Sequence, residues 1–117
     1  MQETKVNLKV YLCGIKTKRY SAINTQAELE TLWRSAFPGV QIPEIDFTKQ
    51  TVLAAFLGEK PSGGYEVTIT GVKTEADKAV VSVTEKQPPA GAAAAAVMTQ
   101  PFHIITVDKI TTPVIFQ

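Results

Sequence analysis

The stretch "TVLAAFLGEKPSGGYEV", residues 51–67, decides the fold. Its first seven residues give apolar side chains to both faces of a strand, which is typical of a central strand covered on each side. Four of the next seven residues are glycine or proline, and both residue types interrupt regular structure. Alternation of apolar and polar residues resumes at Tyr65. The stretch therefore predicts a buried strand, a tight reversal of the chain and a second strand.

The reversal has the residues of a specific turn. Proline fixes φ near the value needed at the second position of a type I turn, so Pro61 suits that position and Ser62 the next. Gly63 can then adopt the left-handed conformation that closes a hairpin through a bulge. We predict a rigid hairpin tip over residues 58–64.

Period-two alternation marks further strands along the chain. Together with the 51–57 strand, the predicted strands cover residues 6–12, 65–72, 79–85, 102–110 and 114–117. A polar hairpin loop is predicted at 73–78. The alanine run at 92–98 is bounded by prolines and too short for a self-supporting helix, so we predict an extended or irregular segment there.

One helix is predicted, at about residues 26–37. Thr25 and Glu28 have the spacing of a capping box at its start, and Pro38-Gly39 ends it. Its apolar residues recur at helical spacing. They are Leu29, Leu32, Trp33, Ala36 and Phe37. We therefore predict an α+β, mainly β domain: an antiparallel sheet, sandwich or partial barrel of about six strands with one helix.

Composition narrows the function classes. The 117 residues suit a single domain, 1–117, and a net charge of +1 is too balanced for electrostatic capture of nucleic acid. The lone cysteine, Cys13, cannot form an internal disulfide, and with the lone His103 it makes no metal site without added carboxylates. Cys13 is predicted to be a small buried side chain. No transmembrane segment is predicted, and Met1 is compatible with a trimmed, processed start.

The 58–64 loop has two chemical alternatives to a structural turn, a phosphate-binding loop and a serine nucleophile. A phosphate-binding loop needs a lysine beside its last glycine and a following helix, whereas Tyr65 and a strand follow here. A serine nucleophile needs a base in reach, and Ser62 can be combined on paper only with His103 and Asp46, without a nucleophile-elbow motif. We expect His103 to be structural. The prediction is no enzyme, no catalytic residue, no cofactor and no metal.

Loop tips also collect binding residues. If each connection reverses the chain, the 58–64, 86–91 and 110–113 loops lie at one end of the sheet and the 73–78 loop at the other. Stiff, weakly charged loops lose little entropy on binding, which favours a protein-facing surface at the first end. The candidate binding residues are Pro61, Ser62, Gly63, Gly64, Pro88 and Pro89.

From Asp46 onward the chain resembles the PrcB C-terminal domain family, named after a subunit of a bacterial protease complex. The resemblance is carried by "IDFTKQTVLAAFLGEKPSGGYEVTI", "VVSVTEKQPPAG" and "TQPFHIITVDK". Ser62 stands where the family more often has threonine. The resemblance implies association with a protein partner such as a protease, no catalytic residues, and an extracytoplasmic location in a bacterium, secreted or anchored to the envelope.

The "KPSGGY" segment is also similar to a hairpin of chagasin-type cysteine protease inhibitors. Those inhibitors present three loops at one end of a sandwich, but their Arg-Pro-Trp motif is missing, because Trp33 lies on the predicted helix. The leading hypothesis is a non-enzymatic interaction domain that associates with or stabilises a partner such as a secreted protease. The alternative is a direct protease inhibitor acting through its loops.

Overall fold

The computed structural model describes residues 13–89 and 98–117, together with the backbone of residues 7–10. These ranges contain seven strands and one helix: β1 (Asn7–Val10), β2 (Arg19–Ile23), α1 (Gln26–Ala36), β3 (Gln50–Phe56), β4 (Glu66–Thr74), β5 (Ala79–Lys86), β6 (Phe102–Asp108) and β7 (Val114–Phe116). The predicted α+β, mainly β fold class is confirmed. The predictions for the alanine run and for the side chains of the first strand lie outside the described residues.

The strands form two sheets. One has four antiparallel strands in the order β1-β6-β3-β2, and the other has three in the order β4-β5-β7, with β7 parallel to β5. The described strands close no barrel. Two apolar clusters lie on opposite sides of the four-stranded sheet, one beneath α1 and one against the second sheet. The chain therefore stacks in three layers: helix, four-stranded sheet and three-stranded sheet.

The middle layer depends on β3, the strand predicted to be covered on both faces. Every one of its seven residues is buried. Val52, Ala54 and Phe56 point into the cluster beneath α1. Leu53 and Ala55 point the other way, into the cluster between the sheets. Apolar side chains on both faces predicted this strand correctly, since a strand that is covered on both sides needs no polar face.

Helix α1 begins and ends close to the predicted bounds. The Thr25 hydroxyl accepts a hydrogen bond from the backbone N–H of Glu28 at 3.2 Å, which caps the first turn. Four apolar residues of the predicted stripe are buried: Leu29, Leu32, Trp33 and Ala36. Gly39 takes a positive φ of 79° just beyond the helix, where proline and glycine were expected to end it.

Strand β2 was not predicted, because Arg19–Ile23 lies in a stretch with many polar residues. Tyr20 and Ala22 pack in the cluster between the sheets, while Ile23 packs under the helix. The strand thus has one apolar residue in three on its helix-facing side. The alternation of apolar and polar residues that marks a strand is therefore weak here. Pairing with β3, in the register Ser21 with Ala54, defines the strand instead.

The predicted hairpin at residues 58–64 is wrong. β3 pairs with β2 and β6, whereas β4 pairs with β5 in the other sheet. The segment is therefore a crossover between two layers. A buried strand needs partners on both sides, and β2 and β6 already occupy both edges of β3, so β4 has to start a second sheet.

Candidate functional site

The candidate binding residues from two distant segments lie together at one end of the molecule. A Cβ placed on Gly64 would come within 2.9 Å of the Pro88 Cβ. We call residues 58–64 and 86–89 the proline end. Residues 90 and 91 of the predicted second loop lie outside the described ranges. The 58–64 tip and the proline pair were expected to lie close together in space, and the approach of Gly64 to Pro88 confirms this.

The third predicted loop, 110–113, was expected at the same end as the 58–64 and 86–91 loops. The structure places it at the other end, so this part of the prediction is wrong. β6 runs antiparallel to β3, so Asp108 is paired with Gln50, at the end of β3 away from Phe56. The Lys109 N–H donates to the Lys49 carbonyl at 2.9 Å. Residues 73–78 and 109–113 form what we call the hairpin end. The prediction failed because it assumed a single sheet in which every connection between strands reverses the chain.

Hydrogen bonds between distant segments fix the proline end. The backbones of Lys60 and Thr99 exchange two hydrogen bonds, of 2.8 and 2.9 Å. The buried Thr99 hydroxyl donates to the Ser62 carbonyl at 2.9 Å. The Glu59 N–H donates to the Lys16 carbonyl at 3.0 Å. Each bond crosses a large sequence separation, so the loop is held by the chain on both sides of it.

Glycine conformation in this loop differs from the prediction. Gly58 and Gly64 have positive φ, of 87° and 89°, and Gly63 does not. Gly58 is buried, and a Cβ there would lie 2.9 Å from the Lys18 backbone nitrogen. The left-handed residues thus stand at the two ends of the segment, where the chain leaves one sheet and enters the other.

The surface of the proline end is uneven in exposure. Pro61, Gly64 and Pro89 are exposed, whereas Ser62 and Pro88 are half-buried. The Ser62 hydroxyl donates to the carbonyl of the next residue at 3.1 Å, so it is engaged within its own turn. The exposed proline and glycine residues form a small surface without charge of their own, and the exposed Lys86 lies beside it.

A charged cluster borders this surface where β2 and β5 approach each other. Lys18 Nζ lies 2.6 Å from a Glu85 carboxylate oxygen, and the Tyr20 hydroxyl donates to the same carboxylate. The hydrogen bond from Lys18, followed by that from Tyr20, lowers the pKa of Glu85 below its ordinary value. Burial, and then the contact with Glu85, raises the pKa of Tyr20. The cluster holds the two sheets together at this end.

A cleft of about 210 Å³ lies beside the proline end. It is lined by Leu57, Lys60, Tyr65, Glu85, Lys86 and Gln87. Lys60 Nζ lies 5.5 Å from the centroid of the Tyr65 ring, in cation–π geometry. The cleft gives the uncharged surface a rim with two lysines and one carboxylate.

The Ser62, His103 and Asp46 combination is not assembled. The buried His103 accepts a hydrogen bond at Nδ1 from the Ile69 N–H at 2.9 Å, and so joins β6 to β4. Asp46 precedes β3 and Ser62 follows it, so the seven residues of β3 separate them by about 20 Å. The Asp46 carboxylate accepts hydrogen bonds from the Thr48 N–H and hydroxyl. The structural interpretation of His103 is confirmed.

Cys13 is half-buried, with its Sγ 3.6 Å from the Gln100 carbonyl oxygen. Burial raises the pKa of the thiol. No cluster of three or more His, Cys, Asp or Glu side chains suitable for a metal ion occurs in the described part of the chain. No helix in that part is long and apolar enough to span a bilayer.

Sequence reasoning missed the residues that support the site. Thr99 and Lys60 were not singled out. Lys18 was not singled out either, because its carboxylate partner lies 67 positions along the chain. A single sequence does not indicate which distant loop lies against a given strand edge. No local pattern therefore predicted these contacts.

Comparison with protein families yields a match. The model of the PrcB C-terminal family matches residues 51–108. The matched segment runs from β3 to the end of β6 and includes all six candidate binding residues. Nothing among the curated proteins or the solved structures matches the chain, and the likeness to chagasin-type inhibitors is not confirmed. Residues 51–108, just under half of this chain, therefore match the PrcB C-terminal family.

Proposed function

We propose that this chain is a non-enzymatic interaction domain that binds a partner protein, a secreted or envelope-associated protease, through the proline end. The observation that carries the proposal is the contact between Gly64 and Pro88, which unites two segments into one projecting surface. The match of residues 51–108 to a family named after a protease-complex subunit supports the protease class of partner. It also supports an extracytoplasmic site of action.

The physical basis is preorganisation. Lys60, Ser62 and Thr99 hold the loop by three hydrogen bonds, so ordering it on binding costs little further entropy. Proline and glycine at the tip expose little polar surface that a partner would have to desolvate. Lys60 and Lys86, which line the adjoining cleft, place two cations at the edge of this surface.

The test compares proline-to-arginine substitutions at the two ends. Pro61→Arg with Pro89→Arg places two long cations on the exposed proline end, and Pro113→Arg does the same once at the hairpin end. The immobilised domain is incubated with secreted proteins of the organism that carries it, and the bound fraction is assayed for cleavage of fluorescent casein. We expect the wild type and Pro113→Arg to retain protease, and the double variant to retain at least tenfold less.

Melting temperatures must accompany the assay, so that a loss of folding is not counted as a loss of binding. Equal retention by all three proteins would refute the proline end as the surface. Failure of the wild type to retain protease would refute the protease class of partner. Stoichiometric loss of casein cleavage on adding free domain would identify the alternative function, direct inhibition.

A further inference from the structure

Strand β2 forms one edge of the four-stranded sheet. Its inner side pairs with β3, and no described segment pairs with its outer side. An open strand edge presents unpaired N–H and C=O groups that another extended chain can bind. This edge is lateral to the strands, away from the tips of the proline end.

A cleft of about 360 Å³ runs beside the edge. Arg19, Ser21 and Ile23 of β2 line one side, and Glu28, Thr31 and Leu32 of α1 line the other. The cleft exists because α1 directs its buried residues toward β3 and β6, and because the side chain at position 21 is small. Ala22, which faces the other sheet, also lines the cleft, so the cleft opens onto the outer edge of the strand.

The cleft has opposite charges at its two ends. α1 follows β2 after a short turn and runs back alongside it, which places Glu28 near Ile23 and leaves Arg19 at the far end. Arg19 Nε donates to the Ser21 hydroxyl at 3.2 Å, and the Glu28 carboxylate accepts the Thr25 hydroxyl at 3.0 Å. Neither charge has an opposite-charge partner within 4 Å in the described part of the chain.

We propose that the β2 edge binds a second copy of this chain, in antiparallel orientation, about a two-fold axis at Ser21. Tyr20 then lies opposite Ala22 of the partner subunit, and Arg19 lies opposite Ile23 of the partner subunit. The two four-stranded sheets join into one sheet of eight strands. The interface is isologous, as closed two-fold assemblies require.

Charge complementarity selects a second copy over a foreign strand. The two-fold axis brings Arg19 to the acidic end of the opposite cleft, next to Glu28 of the partner subunit. The same pairing occurs a second time by symmetry. Each charged end of each cleft therefore receives an opposite charge from the partner subunit, which a random extended peptide would supply only by chance. No like charges face each other in this register.

The dimer is expected to be weak and compatible with the proposed function. β2 has five residues, and a pairing this short falls at the low end of specific interface sizes, below about 1,200 Å² in total. The antiparallel arrangement turns the two proline ends in opposite directions. Two partner proteins could then be held at the two ends of one continuous sheet.

The experiment is sedimentation velocity on the full chain, over concentrations from the micromolar range to about 1 mM, matched to a weak interface. We expect wild type to pass from monomer to dimer with rising concentration. Arg19→Glu and Glu28→Arg each place like charges together twice, and each should raise the dissociation constant at least tenfold. An equimolar mixture of the two variants should recover dimer, because both cross-pairs are then complementary.

Lys73→Glu and Asp77→Arg change the net charge by the same amounts at exposed positions of the hairpin end, and they should dimerise like wild type. Circular dichroism melts show whether Glu28→Arg, which removes an acid from the first helical turn, still folds. A wild type that stays monomeric at every concentration overturns the proposal. So does a dimer that Arg19→Glu leaves unchanged, or a variant mixture that does not associate. Protection of the β2 amides from hydrogen exchange only when another protein is added would assign the edge to a foreign strand and overturn the proposal too.

Discussion

The two ends of the molecule differ in their loop residues and in the way their turns are closed. At the hairpin end, Glu75 and Lys78 close the β4–β5 turn by a local 2.8 Å backbone hydrogen bond and an ion pair of 3.6 Å. At the proline end, Lys60 and Ser62 are bonded to Thr99, which is nearly forty positions away. The β4–β5 turn is therefore closed by neighbours in sequence, whereas the 58–64 loop is held by a remote segment.

The difference shows that the rigidity of the proline end does not come from proline alone. Pro113 lies in the hairpin end as an exposed residue, and its carbonyl accepts a hydrogen bond from the Ala79 N–H at 2.9 Å. At the proline end, the hydrogen bonds of residues 59–62 and the two left-handed glycines determine the loop path. The position of the proline rings is therefore determined by these other residues.

The largest expected effect contrasts a glycine near each end. Gly58→Ala should lower the free energy of unfolding by about 2–3 kcal/mol, because its φ is 87° and its Cβ would meet the Lys18 backbone at 2.9 Å. Gly71→Ala, toward the hairpin end in β4, meets nothing within 4 Å and has no positive φ. We expect it to be neutral or to stabilise by about 0.5 kcal/mol.

Urea denaturation followed by circular dichroism measures both values. Equal losses for the two variants would mean that the close backbone approach at Gly58 does not constrain the fold. The comparison between the two ends would then lose its main structural support.

A smaller effect is expected from the hydroxyl of Thr99. Thr99→Val keeps the shape of the side chain but removes the donor to the Ser62 carbonyl, and should cost about 1–2 kcal/mol in a site this buried. Thr111→Val is the matched control at the hairpin end, where the residue is exposed, and it should change stability by less than about 0.5 kcal/mol. Amide hydrogen exchange at Lys60 and Thr99 should quicken in Thr99→Val alone. Unchanged exchange there would show that the hydroxyl does not hold the loop.

The sequence predicts the elements that are fixed by residues close together in the chain. It misses those that depend on remote segments. Helix α1 and strand β3 carry complete local signals, a capping box with a helical stripe and a run apolar on both faces. Both were predicted within about one residue of their observed bounds. The Glu75–Lys78 turn was also predicted, since all its determinants lie within six residues.

The crossover at 58–64 could not be predicted, because its path depends on which edges of β3 are already paired. β2 was missed for the same reason, as a polar edge strand defined by its partner. The convergence of Gly64 with Pro88 was predicted correctly, although by reasoning that placed 110–113 at the wrong end. β4 and β5 form a true hairpin, and that pairing alone brings Lys86 beside Glu66 and so brings the two loops together.

The smallest expected effect compares two carboxyl groups with lowered pKa, one at each end. Glu85 is held mainly by the hydrogen bond from Lys18, a remote partner, and Asp46 mainly by the side-chain and backbone hydrogen bonds from Thr48, two residues away. A carboxyl whose pKa is lower in the folded state stabilises the fold above its unfolded pKa. That contribution is lost as the pH falls through the folded pKa.

The two carboxyl groups should respond differently to salt and to substitution. About 0.5 M NaCl screens the Lys18–Glu85 charge pair and should raise the pKa of Glu85 toward its ordinary value, whereas the neutral donors of Thr48 should hold the pKa of Asp46 low. Lys18→Met should shift Glu85 alone, and Thr48→Val should shift Asp46 alone. Carboxyl carbon chemical shifts, followed by NMR between about pH 2 and 6, measure both groups in one sample. Equal salt shifts for Glu85 and Asp46 would contradict the assignment of remote charge to one end and local hydrogen bonding to the other.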